Sequence, residues 1–240
     1  MQGFALYSER VGESSGLVYH ESGKSEERLT KKGVREKIVQ AASRRFHEYG
    51  YNATGIQDIV DVAGCPKGSF YAHFKSKEAL GLEVLAADAE VTQGTLILSG
   101  DEPPLDRLRG HFQTLASDYY RLKYRSGCLI GDFASELSSN PKFRQATLHH
   151  MTMWSSSIAE VLTEAQKRGD VGKDRDAASV GRYLLDSFLG SALRVRLSKS
   201  QEPFQEFLKV GFGIVLGSSA SDSTKTDQNP IHRKKRSPAL

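Results

Sequence analysis

Lys67, Gly68, Ser69, Tyr71, Ala72 and His73 fall within seven residues, and Lys75 and Lys77 follow directly. Ammonium, hydroxyl, phenol and imidazole groups at this density can contact phosphate oxygens and base edges. Gly68 adds access, because no side chain there holds the backbone away from a nucleic acid. Thr54 and Gln57 extend the polar set upstream. Thr54, Gln57, Lys67, Gly68, Ser69, Tyr71, Ala72, His73, Lys75 and Lys77 are therefore expected to form a DNA-contacting group. Lys75 and Lys77 suit phosphate clamps. His73 carries two readings, a polar surface residue or a base or phosphate contact. Catalytic chemistry is not signalled. Cys128 with His149 and His150 could be imagined as nucleophile and base, but no recognisable spacing supports it. The sequence has no glycine-rich phosphate loop and no metal-type Cys/His spacing. Neither an enzyme nor a cofactor is expected.

The elements that must position these residues are two short helices joined by a tight turn. Thr54 and Gln57 stand at capping-box spacing. Ile56, Ile59, Val60 and Ala63 supply an apolar stripe at helical period. Gly64 suits the left-handed end of that helix, and Pro66 suits the first turn of the next, expected over 67–74. Helix, glycine turn, helix is the plan whose second helix enters the major groove. Phe70 and Phe74, four apart, are expected in the core. A preceding helix over 32–49 would pack Val34, Ile38, Ala41, Ala42, Phe46 and Tyr49 against the pair. Arg44 and Arg45 lie off that stripe, as a solvated face or as phosphate contacts. Ser76 caps a following helix over 76–95, with Glu78 near its positive end.

The run AGCPKGSFYAHFKSKEAL resembles the DNA-binding signature of the tetracycline-repressor (TetR) family of bacterial regulators. The matching residues are Ala63-Gly64, Lys67-Gly68-Ser69, Phe70-Tyr71, His73-Phe74 and Lys75-Ser76-Lys77-Glu78. Pro66 departs from the serine or threonine cap that many members carry. The resemblance covers roughly residues 30–80. It implies an all-α protein with an N-terminal three-helix DNA-binding domain and a C-terminal helical ligand-binding and dimerisation domain. It also implies Tyr71 packing on phosphate and sugar. Gly127-Cys128-Leu129-Ile130-Gly131 resembles a segment of the branch that responds to electrophiles, in which the cysteine lies beside the ligand. Such a thiol needs a lowered pKa. Cys128 stands at an expected helix start, close after Arg125, and Arg194 and Arg196 lie where some such sensors carry a lysine. A buried structural cysteine is the other reading.

Charge distribution follows the same division. The net formal charge of the 240 residues is +4, with +4 on residues 24–78, −1 on 79–216, +3 on 217–240 and −2 on 1–23. A basic module joined to a neutral one is the footprint of phosphate binding. With 38 % hydrophobic residues and a mean hydropathy of −0.44, no apolar run reaches membrane-spanning length. No signal peptide is read at the N-terminus, and the two cysteines are expected as thiols in the cytoplasm.

The domains are expected at 1–29 (a flexible arm), 30–78, 79–217 and 218–240 (a disordered basic tail). The arm is either inert or reaches a minor groove through Lys24, Arg28, Lys31 and Lys32. The tail is either solvated charge or a nonspecific DNA contact. After a loop at 99–104, helices are expected over 105–124, 128–138, 141–168, 176–197 and 203–216, with no strand. Cys128, His150, Trp154 and Phe188 are the candidate effector residues. The last two helices are apolar on more than one face, so Leu185, Leu189, Phe204, Phe207 and Phe212 are expected to bury a second copy. A single thick monomer core is the other reading. Together these features describe a homodimeric, ligand-responsive regulator that binds a palindromic DNA operator, with a repressor as the first expectation. The alternative is a small-molecule-binding protein or enzyme that uses a helical fold without specific DNA recognition.

Overall fold

The computed structural model describes residues 33–92, 100–121, 123, 124 and 127–217. The expected arm and tail, residues 93–95 of the expected fourth helix, and Arg125 lie outside them. Every regular element among the described residues is helical: α1 (Val34–Tyr49), α2 (Ile56–Ala63), α3 (Lys67–His73), α4 (Lys77–Thr92), α5 (Pro104–Arg121), α6 (Leu129–Leu137), α7 (Pro141–Arg168), α8 (Ala177–Ser198) and α9 (Glu202–Leu208). The chain then widens into a π-helical turn, Lys209–Val215, where a continuous helix to 216 was expected.

Local chemistry explains most boundaries. Gly64 ends α2 in the left-handed region (φ 65°). Asn140 Oδ1 accepts from the Lys142 and Phe143 N–H groups ahead of Pro141, so α7 starts where expected. Ser76 Oγ accepts from Ala79 N. The capping of α2 differs from the expected Thr54–Gln57 pair. Gly55 is the N-cap, and Asp58 Oδ2 accepts from its N–H at 2.7 Å. Pro66 precedes α3 as its N-cap rather than entering it. Val34 and Tyr49, expected on the inner face of α1, are exposed at its two ends.

The α1–α3 bundle and the larger helical body share one core. Tyr51, between α1 and α2, meets Phe46 of α1, Phe133 of α6 and Phe143 of α7, with ring centroids 5.2–5.6 Å apart. α4 crosses this joint at Gly81, where a β-carbon would stand 2.8 Å from Tyr51 Cε2 and 2.9 Å from Phe143 Cζ. A second close crossing joins α7 to α8: a β-carbon on Gly181 would lie 2.7 Å from the Ser155 carbonyl oxygen.

Gly81→Ala should push two rigid aromatic rings apart. Overpacking of this kind costs about 1–3 kcal/mol, read as a melting temperature lowered by roughly 3–10 °C. An unchanged melting temperature would show that the joint can open without cost.

Candidate DNA-binding and effector sites

α3 presents one polar face and one buried face. Phe70 is fully buried and Phe74 nearly so, their rings tilted against each other with centroids 5.7 Å apart. The opposite side leaves Lys67, Gly68, Tyr71, Ala72, His73 and Lys75 exposed, with Ser69 half-buried. Tyr71 is 56 % exposed, far more than a core aromatic. Gln57 is exposed on α2, its amide donating to Asp61 at 2.8 Å. Arg44 is exposed. Arg45 is not part of an open cationic face, since it lies over the Tyr49 ring at 4.0 Å and 3.8 Å from Asp58.

Two expected contacts face inward instead. The Thr54 hydroxyl is buried and donates to the carbonyls of Gly50 (2.7 Å) and Arg45 (3.3 Å). Its short side chain is consumed in closing the α1–α2 connection. Lys77 donates to the carbonyls of Tyr51 and Thr54, both at 2.9 Å, and its ammonium lies 4.1 Å from the centre of the Tyr51 ring. Burial lowers its pKa, opposed by Glu136. Lys77 is therefore a fastener of the three-helix unit, and Lys75 is the outward lysine of the pair.

The expected effector residues are joined by an aromatic chain. Trp154 contacts Phe188, Phe188 stacks on Phe204 at 5.2 Å, and Phe204 meets Tyr119 at 5.2 Å. Trp154 Nε1 also donates to His111 Nε2 at 3.2 Å. Burial holds the Tyr119 hydroxyl pKa well above its usual value, with a smaller rise from Cys128. His150 is half-buried on α7, its pKa lowered by burial and by His149.

Cys128 is the N-cap of α6, as its expected place at a helix start requires. The expected low thiol pKa is not found. Burial, reinforced by Asp88, pushes the thiol up to about 12 and outweighs the helix N–H groups of Gly131 and Ile130. The arginines do not reverse this: Arg196 pairs with Asp132 at 2.6 Å and Arg194 with Glu206 at 2.8 Å.

Sequence reasoning missed the polar joint beside Cys128. His47 of α1 and Asp88 of α4 are buried and in contact, Nε2 to Oδ1 at 2.9 Å. Burial pushes the Asp88 carboxyl up to about 8 and His47 down to about 4, so a neutral, proton-sharing pair prevails at pH 7. No periodicity marks such a pair, because its members lie on different helices 41 residues apart.

The expected dimer residues also need correction. Leu185, Phe204, Phe207 and Phe212 are buried within the protomer, and Leu189 is half-buried. α5 and α9 supply the second apolar surface that a partner was expected to provide, as in the contact of Phe112 with Phe207 at 4.9 Å. The apolar residues that α8 leaves exposed are Tyr183, Leu193 and Leu197.

The pair makes stability depend on pH. Asp88 holds its proton more tightly folded than unfolded, so its stabilising contribution is lost as pH rises through about 8. His47 has the opposite shift and loses its contribution as pH falls through about 4. Between pH 6.5 and 9 the melting temperature should fall, and Asp88→Asn should flatten that fall. Parallel curves for the two proteins would assign the proton elsewhere.

Residues 38–84 match the family described as bacterial regulatory proteins, tetR family, and residues 104–210 match the tetracyclin repressor-like C-terminal domain. The HTH-type transcriptional repressor DhaR of Mycobacterium sp. (strain GP1) is 32 % identical over 197 residues, covering 80 % of this chain and 98 % of DhaR. The transcriptional regulator AcuR of Cereibacter sphaeroides is 29 % identical, over 72 % of this chain and 81 % of AcuR. Among solved structures, a regulatory protein TetR from Rhodobacter sphaeroides superposes with a TM-score of 0.70 at 27 % identity, covering 74 % of this chain and 96 % of that one. The reduced form of Escherichia coli NemR shares the fold, with a TM-score of 0.67 at 24 % identity over 74 % and 94 % of the two chains. With an exposed recognition face on α3, an all-helical body and matches over both halves, the chain belongs to the TetR family of bacterial transcriptional regulators.

Proposed function

We propose that the protein is a homodimeric repressor that binds a palindromic operator in the cytoplasm and releases it when a small molecule binds the helical body. The observation that carries this reading is the two-faced α3, with Phe70 and Phe74 inward and Lys67, Tyr71, His73 and Lys75 outward. Matches to repressors such as DhaR support the direction of regulation. A regulatory rather than enzymatic role accords with the family. The high thiol pKa of Cys128 favours reversible effector binding over attack on an electrophile.

For the dimer, the supporting surface is the outer face of α8, with Tyr183, Leu193 and Leu197. Beside it, Tyr183, Ser187, Arg194, Glu206 and Phe207 line a cavity of about 250 Å³. Two copies joined there would offer two recognition helices to two half-sites.

An operator selected from random duplexes by the wild-type chain gives the assay. Lys75→Ala should weaken binding and reduce the salt slope by about 1, because one phosphate contact is lost. Its melting temperature should not change. Lys77→Ala should instead lower the melting temperature, since two backbone carbonyls lose their donor. The reverse pattern would exchange the roles of the two lysines. Leu193→Glu places a charge on an exposed residue, so it should give a folded monomer by sedimentation. A wild-type mass near 26.5 kDa at micromolar concentration would refute the dimer.

A further inference from the structure

Residues at the C-terminal ends of α1 and α8 line one open cleft of about 690 Å³. Its apolar walls are Tyr49 of α1, Tyr124 after α5, and Leu193 and Leu197 of α8. Tyr49, Leu193 and Leu197 are exposed, and Tyr124 is half-buried. The Arg45 guanidinium over the Tyr49 ring holds that ring in place. Tyr124 and Lys199 both have left-handed backbone, with φ 58° and 52°, which is uncommon for a residue with a side chain. The Lys199 ammonium donates to the Tyr124 carbonyl at 3.3 Å, and the Tyr124 N–H donates to the Tyr119 carbonyl at 2.9 Å. These bonds fix the floor of the cleft. Non-glycine residues in such backbone gather at ligand clamps.

The polar lining is rich in donors. An ammonium carries three N–H groups and a guanidinium five. Lys199 uses one of its three on the Tyr124 carbonyl. Arg196 pairs with Asp132 of α6 through Nη1, at 2.6 Å from Oδ1. Its other N–H groups remain for a second acceptor. Glu48 is the one carboxylate among the described lining residues. Cationic donors beside apolar walls suit an organic carboxylate, whose two oxygens match the guanidinium fork. The two tyrosines and two leucines suit a flat ring system. Glu48 disfavours a second negative charge on the same ligand. The cleft also has the size of a small-molecule site, which is roughly 300–1,000 Å³. Leu193 and Leu197 belong to the α8 face assigned above to the dimer, so the cleft adjoins the second copy.

We propose that an aromatic monocarboxylate binds this cleft, its ring between the tyrosines and leucines and its carboxylate on Arg196 and Lys199, and that it loosens the tie from Arg196 to α6. The proposal gives the ligand-released repressor an effector class and a site, and it rests on that reading. α6 is bound to the DNA-binding unit at its start. The Gly127 N–H donates to the His47 carbonyl at 3.2 Å, and the Gly127 carbonyl accepts from His47 Nδ1 at 2.9 Å. The Asp132–Arg196 pair joins the same helix to α8. A carboxylate on the guanidinium competes with Asp132 for it, while the ring stands between Tyr49 and α8. Both effects alter the spacing of α1 and α8. The ligand acts only through its difference in affinity between the two arrangements.

The probe is 1-naphthoate, with 1-naphthamide as the neutral control. Binding to the full chain is measured by titration calorimetry without DNA, and release by operator affinity with and without probe. In the wild type the acid should bind about tenfold more tightly than the amide, because only the acid makes charge-assisted bonds. The acid should also lower operator affinity by about fivefold or more. Lys199→Gln should weaken acid binding by about tenfold while leaving probe-free operator affinity unchanged. Arg196→Lys keeps a charge opposite Asp132 but loses the fork, so it should weaken the acid as well. Tyr49→Ser should weaken acid and amide alike, by about threefold to tenfold. An acid that fails to bind, an amide that matches it, three variants that bind normally, or bound acid that leaves operator affinity unchanged would each overturn the proposal. A cleft filled by the second copy gives the first of these results. If the variants do not fold, nuclear Overhauser effects in the wild type decide. The naphthyl protons must reach the rings of Tyr49 and Tyr124, and their absence would overturn the site. Failure to select any operator would sink the repressor reading instead, since probe binding is measured without DNA.

Discussion

The Tyr51 ring is the contact on which the rest of the molecule depends. It touches Phe46 of α1, Phe133 of α6 and Phe143 of α7, lies under the Lys77 ammonium, and is faced by the bare backbone of Gly81. Four helices therefore converge on one side chain that is 8 % exposed. Polar contacts fix the same joint at its edge. Glu136 accepts from the Asn52 N–H, and Glu78 accepts from Asn140 and Lys142 at the start of α7. Because close-packed interiors shift between discrete arrangements more readily than they deform continuously, a change in α6 or α7 reaches the DNA-binding unit through packing as well as through the chain.

Much of this was legible in the sequence because the signals are local. Gly64 and Asn140 each act within a few residues of themselves, and the alternation of Phe70 and Phe74 with Tyr71 and His73 sorts α3 into two faces. The α2 cap shows how a local signal can still mislead. Thr54–Gln57 and Gly55–Asp58 have the same spacing, and the carboxylate wins because its charge suits both the Gly55 N–H and the positive helix end.

What was not legible depends on partners distant in sequence. Lys75 and Lys77 look alike in a one-dimensional reading. Only the fold returns Lys77 to carbonyls 23 and 26 residues earlier. Cys128 at a helix start suggested a low thiol pKa, but burial raises it, reinforced by Asp88, 40 residues upstream on α4. The phenylalanines of α8 and α9 suggested a second copy, whereas α5 covers them. An apolar helix face states that it must be buried and leaves open by what.

The close crossing at Gly181 has a mechanical consequence. With Ser155 set against it, α7 is held on α8 near its own midpoint. The stretch from Ser155 back to Pro141 makes a lever of about 21 Å at 1.5 Å per residue. Its far end is the Asn140–Lys142 cap that grips Glu78 of α4. A tilt of about 5° at the crossing displaces that grip by roughly 1.8 Å over such a lever. Added to the 2.8 Å bond from Asn140 to Glu78, that lies beyond hydrogen-bond reach, so a tilt too small to disturb the core at its pivot is large enough to release α4 from α7.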